Sequence, residues 1–186
     1  MGRLILFNFI TVDGFFEGKN HELDWHNVDA EFHDFAVQQL DTADTLVFGR
    51  KTYELMKNYW TSNEAIATDK IIADKMNSYI KIVFSKSLDK AEWMNTVFFK
   101  NNIEEVIQGL KQKSYKDILI LGSANLTSTL QRRNLIDEYR IMVNPIILGD
   151  GVPLFKPIHE RQQLKLIQTR VFESGNILLY FQPKLK

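Results

Sequence analysis

Residues 116–130 read KDILILGSANLTSTL, and the rest of the chain is organised around this stretch. Ile118, Leu119, Ile120 and Leu121 form an apolar run too short for a buried helix, with enough branched side chains for a strand buried on both faces. Gly122 interrupts the run, and residues 123–131 resume with Leu126, Thr129 and Leu130 at helical spacing. Strand, glycine turn and helix together outline an anion site. The first N–H groups of such a helix have no acceptor within it, and its dipole places partial positive charge at the same end, which suits a phosphate. A tight turn at Gly122 and a plain helix cap at Ser123 fit the same letters, so both readings stand here.

Composition bounds the function. The chain has 186 residues, 45% hydrophobic and 25% charged, as expected for one globular domain with a well-buried core. The formal net charge is zero, and the basic residues form no cluster larger than a pair such as Arg132-Arg133, which argues against a nucleic-acid partner. There is no cysteine, so disulfides, thiolate nucleophiles and cysteine zinc sites are excluded. His21, His26, His33 and His159 lack metal-binding spacing, and no metal is expected. No apolar stretch approaches the roughly 20 residues that span a bilayer. Met1-Gly2-Arg3 runs straight into a strand pattern with no room for a signal peptide, so a cytoplasmic protein is expected.

Outward from the central stretch, strands and helices alternate. Residues 4–12 read as a buried strand interrupted by Asn8, whose amide ties neighbouring backbone together or faces a ligand. Residues 15–27 have no clear period and are long enough for a functional loop. Asp29 precedes Phe32, Phe35, Ala36 and Leu40, an amphipathic helix with Asp29 near its N-cap. Residues 45–48 form a second buried strand, which Gly49, Arg50, Lys51 and Thr52 turn into a helix through Met56. Two cations at a helix N-terminus oppose the dipole, and a bound anion would remove the conflict. Residues 64–76 read as one helix with Ile66, Ile72, Ala73 and Met76 inward. Strands at 81–84 and 96–99 follow, then a helix at 103–113 capped by Asn101 or Asn102. After Asn134 the pattern changes to a segment at 136–147 that is strand-like up to Pro145, a turn-rich loop at 148–153, and a hairpin of strands 164–172 and 177–182. The expectation is a three-layer α/β/α fold whose mostly parallel sheet ends in antiparallel edge strands.

Three polar turns thus follow buried strands: residues 49–52, 85–86 and 122–126. In open parallel sheets ligands bind beyond the carboxyl ends of strands, so three such turns can converge on one molecule. Together they resemble the dihydrofolate reductase fold. Gly49-Arg50-Lys51-Thr52 is similar to that family's Gly-Arg-x-Thr turn, Phe84-Ser85 to its strand-end serine, and Ile120-Leu121-Gly122-Ser123 to its pyrophosphate-binding turn. Val12-Asp13-Gly14, residues 135–139 and Pro145-Ile146-Ile147-Leu148-Gly149 resemble, more narrowly, the reductase domain of bacterial riboflavin biosynthesis. The zinc deaminase signature of the bifunctional riboflavin enzyme has no counterpart in this chain.

The resemblance implies NADPH as cofactor, a small-molecule substrate and a homodimer. It places Arg50, Lys51, Ser85 and Lys86 around the adenosine 2′-phosphate, with Gly49 and Thr52 completing the first turn. Gly122, Ser123, Ala124, Asn125 and Leu126 lie under the pyrophosphate. Ser123 stands where the family has a second glycine, and its hydroxyl can face the phosphate instead. Folate-reducing members carry a carboxylate near the start of the helix after the tryptophan, a position taken here by Ala30 between Asp29 and Glu31. Asp29 is the first catalytic candidate and Asp13 the riboflavin-type alternative. Asn8, Trp25, His26 and Gly149 are the expected substrate contacts, since aromatic rings suit a planar heterocycle. Three readings remain open: reduction of a pyrimidine- or pteridine-like molecule, reduction of dihydrofolate, and a nucleotide-binding dimer without turnover.

Overall fold

The computed structural model describes residues 1–156 and 161–184. The chain opens with β1 (Leu4–Thr11), the short β2 (Phe15–Glu17) and α1 (Ala30–Asp41). β3 (Ala43–Gly49), α2 (Arg50–Trp60), α3 (Asn63–Thr68) and α4 (Lys70–Ser78) follow. Next come β4 (Ile80–Phe84), β5 (Thr96–Phe99), α5 (Ile103–Lys113), β6 (Asp117–Leu121) and α6 (Ala124–Arg132). β7 (Glu138–Asn144), β8 (Val152–Pro153), β9 (Leu164–Val171) and β10 (Ile177–Pro183) complete the chain.

The main sheet runs β5-β4-β3-β6-β1-β7-β10-β9. Its first six strands are parallel, β10 is antiparallel to β7, and β9 is antiparallel to β10. Alternation along β1 shows why helices cover both faces. Leu4 and Leu6 pack with Ile107 of α5 and with Leu126 and Leu130 of α6, whereas Ile5 packs with Leu40, Tyr53, Ile72 and Met76 of α1, α2 and α4. Both sides of the strand are apolar, as a central parallel strand requires.

One expectation is corrected. Residues 64–76 are not one helix: Asp69, at φ −142°, ends α3 and caps α4 by accepting from Ile72 N at 3.3 Å. A short acceptor side chain competes here with the helical backbone. As a result Ile66 points outward at 42% exposure and Ala65 is buried instead. Within the 15–27 stretch, Phe15–Glu17 form β2, which pairs antiparallel with β8.

At the amino ends of the strands, charges are closely matched. Arg3 donates to both Asp117 oxygens at 3.0 and 2.8 Å and to Glu138 at 2.9 Å, and the other Glu138 oxygen accepts from Arg140 Nε at 2.7 Å. Asp137 accepts from Leu4 N at 2.7 Å and meets Lys111 Nζ at 2.6 Å. Among the described residues no helix is long and apolar enough to cross a membrane.

Candidate functional site

The parallel register brings the three polar turns to one rim. Gly49 stands opposite Phe84 and Val47 opposite Ile120, so Ser85, Gly49 and Gly122 lie at neighbouring strand ends. Two of the turns touch. A Cβ on Gly49 would lie 2.5 Å from Ser123 Oγ, and one on Gly122 would lie 3.0 Å from Thr52 Cγ2. Gly122 at φ +77° and Ser123 at φ +72° both take the left-handed conformation, which side chains other than glycine seldom adopt.

α2 and α6 therefore begin side by side, and both begin open. Neither Gly49 nor Ser123 makes a side-chain cap, and neither helix has an acidic residue in its first turn. Side chains close α1, α3 and α4: Asp29 accepts from Phe32 N, Ser62 from Ala65 N, and Asp69 from Ile72 N. α5 starts at a left-handed Asn102 that makes no side-chain cap, but Glu104 and Glu105 supply negative charge in its first turn. Among the described helices only α2 and α6 have neither a capping side chain nor a first-turn acid to meet the N-terminal dipole.

Cations gather at the same place. Arg50 and Lys51 are exposed at the start of α2. Arg50 also reaches Glu54 one turn on, at 3.0 and 3.2 Å, so it has a structural partner that the sequence reading did not anticipate. An exposed pair of this spacing contributes only about 0.3–0.5 kcal/mol. Lys156, beyond β8, donates to Asn125 Oδ1 in the first turn of α6. Ser85 is buried, and its oxygen accepts from Ser87 N at 3.2 Å and Leu88 N at 2.9 Å, which leaves its proton available; Lys86 beside it is exposed.

The other side of the rim is aromatic. His26 stacks on Phe9 at 4.3 Å, Trp25 meets the His26 ring edge-on at 4.5 Å, and Phe32 tilts against Phe9 at 4.9 Å. Burial pushes His26 down to about 4, so at neutral pH it presents a neutral ring, and its Nε2 has no hydrogen-bond partner. Asparagines hold this loop: Asn27 N donates to Asn144 Oδ1 at 2.9 Å, Asn176 Nδ2 donates to Asn27 O at 2.9 Å, and Asn27 Nδ2 donates to Ser174 O at 3.3 Å.

The carboxylates divide by their partners. Asp13 accepts from Thr11 Oγ1 at 2.6 Å, Gly149 N at 2.8 Å and Leu148 N at 3.3 Å, which ties the mouth of β1 to the loop after β7. The Thr11 hydroxyl, with the two N–H groups behind it, holds Asp13 below the usual carboxylate range, so it stays charged at neutral pH. Glu31 accepts from Arg170 and from Glu173 N, both at 2.9 Å, and fastens α1 to the hairpin. Asp29 caps α1 through Oδ1. His21 meets Glu17 and His33 meets Asp69, each at 2.9 Å, and His159 lies outside the described residues. A hollow of about 470 Å³ at the opposite ends of β4 and β5 includes Trp93 and Met94, and one of about 430 Å³ lies between the start of α5 and Arg133. Neither of these two hollows is lined by a residue of the three turns.

A mostly parallel sheet covered on both faces, closed by an antiparallel pair and carrying its polar turns on one rim, defines a domain with a dihydrofolate reductase-like fold. The chain belongs to the RibD C-terminal domain family, whose profile matches residues 3–179. It is 37% identical over 181 residues to the uncharacterized protein YyaP of Bacillus subtilis, covering 96% of this chain and 94% of that protein. A putative riboflavin biosynthesis protein from Shewanella sp. PV-4 superimposes with a TM-score of 0.78 at 23% identity, over 98% of this chain and 99% of that one. The diaminohydroxyphosphoribosylaminopyrimidine deaminase/5-amino-6-(5-phosphoribosylamino)uracil reductase of Thermotoga maritima superimposes at 0.71 and 14% identity, over 98% of this chain and 57% of that one.

Proposed function

We propose that the chain is an NADPH-dependent reductase of a pyrimidine- or pteridine-like small molecule. The observation that carries this reading is the pair of uncapped helix starts, α2 and α6, set against each other on one rim with Arg50, Lys51 and Lys156 beside them. A dinucleotide carrying a ribose phosphate has two anionic groups for two such ends. Arg50, Lys51, Ser85 and Lys86 would hold the 2′-phosphate, and Gly122 to Leu126 with Lys156 would hold the pyrophosphate. When bound, the cofactor supplies the hydride. The chain's own residues then orient the substrate: Trp25, His26 and Phe9 offer a ring-lined wall, and Asp13 keeps Gly149 and its loop in place. Asp29 is the carboxylate assigned to proton handling, since Glu31 is fully occupied by Arg170 and Glu173. The family and the uracil reductase named for the Thermotoga protein support the substrate class. The open edge strand β9, with Leu166, Ile167 and Val171 exposed, supports a homodimer closed across that edge.

The test is loss of NADPH fluorescence in the presence of 5-amino-6-(5-phosphoribosylamino)uracil, a set of pteridines and dihydrofolate. Turnover of the uracil or a pteridine is the expected result. Binding of NADPH without oxidation by any of them would make the protein a nucleotide-binding dimer instead, and no NADPH binding would overturn the reading altogether. Light scattering on the same preparation should give the mass of two chains, and a monomer would refute the dimer.

A further inference from the structure

The residue on β1 that breaks the apolar pattern is Asn8. Leu4 and Leu6 pack on the α5/α6 face with Ile10 against the same cluster, and alternation puts Asn8 on that face between Leu6 and Ile10. It is only 3% exposed, and its Nδ2 has no hydrogen-bond partner. Buried amides are almost always satisfied, so an orphan calls for a reason. Its place in the sheet suggests one. β1 and β6 are in register as far as Phe7 and Leu121, so the next position along sets Asn8 beside Gly122 at the rim, while on the β7 side Asn8 pairs with Ile141. Gly122 has no side chain that could meet the amide.

Building on the function proposed above, we propose that the Asn8 amide is held for the ligand and donates through Nδ2 to a planar amide carbonyl entering between the ends of β1 and β6. Two sources share that chemistry: the carboxamide of a nicotinamide and the lactam of a pyrimidine or pteridine ring. The fold itself does not use the donor. An aliphatic side chain at position 8 would continue the surface formed by Leu6 and Ile10 and would bury no unpaired polar atom. An internal water satisfying the amide is the physical competitor, and it predicts the opposite effect on stability.

The experiment compares wild type with Asn8→Leu by thermal melting without ligand, and by titration with NADPH, 2′-phospho-ADP-ribose and 5-amino-6-(5-phosphoribosylamino)uracil. The free variant should melt about 2–4 °C or more above wild type. It should also lose about three- to tenfold in affinity for NADPH or for the uracil, with 2′-phospho-ADP-ribose, which lacks the nicotinamide, unchanged. A loss confined to NADPH identifies the carboxamide, and a loss confined to the uracil identifies the lactam. A lower melting temperature, unchanged affinity for both carbonyl-bearing probes, or an equal loss for 2′-phospho-ADP-ribose would overturn the assignment. If wild type binds none of the three, the proposed function fails as well, a result separate from any of these.

Discussion

The two rims of one sheet are built on opposite principles. At the amino ends of β1, β6 and β7, each carboxylate meets a cation or an N–H: Arg3 joins Asp117 to Glu138, Glu138 joins Arg3 to Arg140, and Asp137 joins Lys111 to Leu4. At the carboxyl ends of β3 and β6, helix dipoles are left without an acid or a cap, and cations stand beside them. The contrast is not a general laxity of capping, because α1, α3 and α4 are closed by side chains. One rim is satisfied internally and holds the fold together, while the other has unmet electrostatic demand that an anion from outside can meet.

The comparison predicts that damage to the two rims separates cleanly. Glu138 is 6% exposed and bridges two guanidinium groups, so Glu138→Ala leaves Arg140, itself 9% exposed, without its carboxylate. Breaking a buried pair from one side costs about 3–5 kcal/mol. Urea unfolding should show that loss, with NADPH affinity unchanged in the folded fraction. A cost below about 1 kcal/mol would mean that solvent already screens the network and that the amino rim is no tighter than a surface.

Next in size is a pH effect on the aromatic side of the open rim. Burial lowers His26 to about 4 in the folded chain, against about 6.5 when unfolded. The unfolded chain therefore takes up a proton first as the pH falls. The stability is fully present above about 6.5 and is lost progressively towards 4, by up to about 3 kcal/mol. His26→Phe keeps the stack on Phe9 and should flatten that limb of the stability profile. An unchanged slope in the variant would show that other groups dominate acid unfolding.

Much of the open rim was legible in the sequence because its parts are local. Gly49-Arg50, Ser85 and Gly122-Ser123 each follow a short buried strand, and parallel order alone puts them on one side. What escaped notice is assembled over long separations. Lys156 reaches Asn125 across 31 positions from a loop with no periodicity, and Asn27 finds Asn144 and Asn176 only because β7 lies between β1 and β10. Arg3, Asp117 and Glu138 look like ordinary surface charges until the strand order makes their amino ends neighbours. The Arg50–Glu54 pair was readable from its spacing, and it shows that a cation at a helix start can have an internal partner as well.

That pair sharpens a third prediction. Arg50→Ala should weaken NADPH by about ten- to a hundredfold and leave NADH nearly unaffected, because hydrogen bonds to charged groups contribute about 1.5–3 kcal/mol and only NADPH has the 2′-phosphate. Glu54→Ala should do the reverse on a smaller scale, since it frees Arg50. Lys156→Ala should weaken the two cofactors equally, because both carry a pyrophosphate. Nucleotide fluorescence titrations separate these patterns, and equal losses of both cofactors in Arg50→Ala would show that the α2 turn does not read the 2′-phosphate.

The smallest effect tests the contrast most directly, because it converts the open rim towards the closed one. Asn125 is exposed in the first turn of α6 and already accepts from Lys156, so Asn125→Asp keeps the shape and adds the negative charge that α6 lacks. A carboxylate at a helix N-terminus is worth about 0.3–1 kcal/mol, so the free protein should become more stable by that amount and melt about 1–4 °C higher. The same charge occupies the place of a phosphate, so NADPH and NADH should both bind more weakly, and the stabilisation should shrink as salt is raised. A functional site left open at some cost to the fold gives both signs at once. If the variant is more stable with cofactor affinity intact, α6 is open for a reason other than a dinucleotide. If it is less stable, the first turn of α6 is already satisfied, and the contrast between the rims does not hold at that helix.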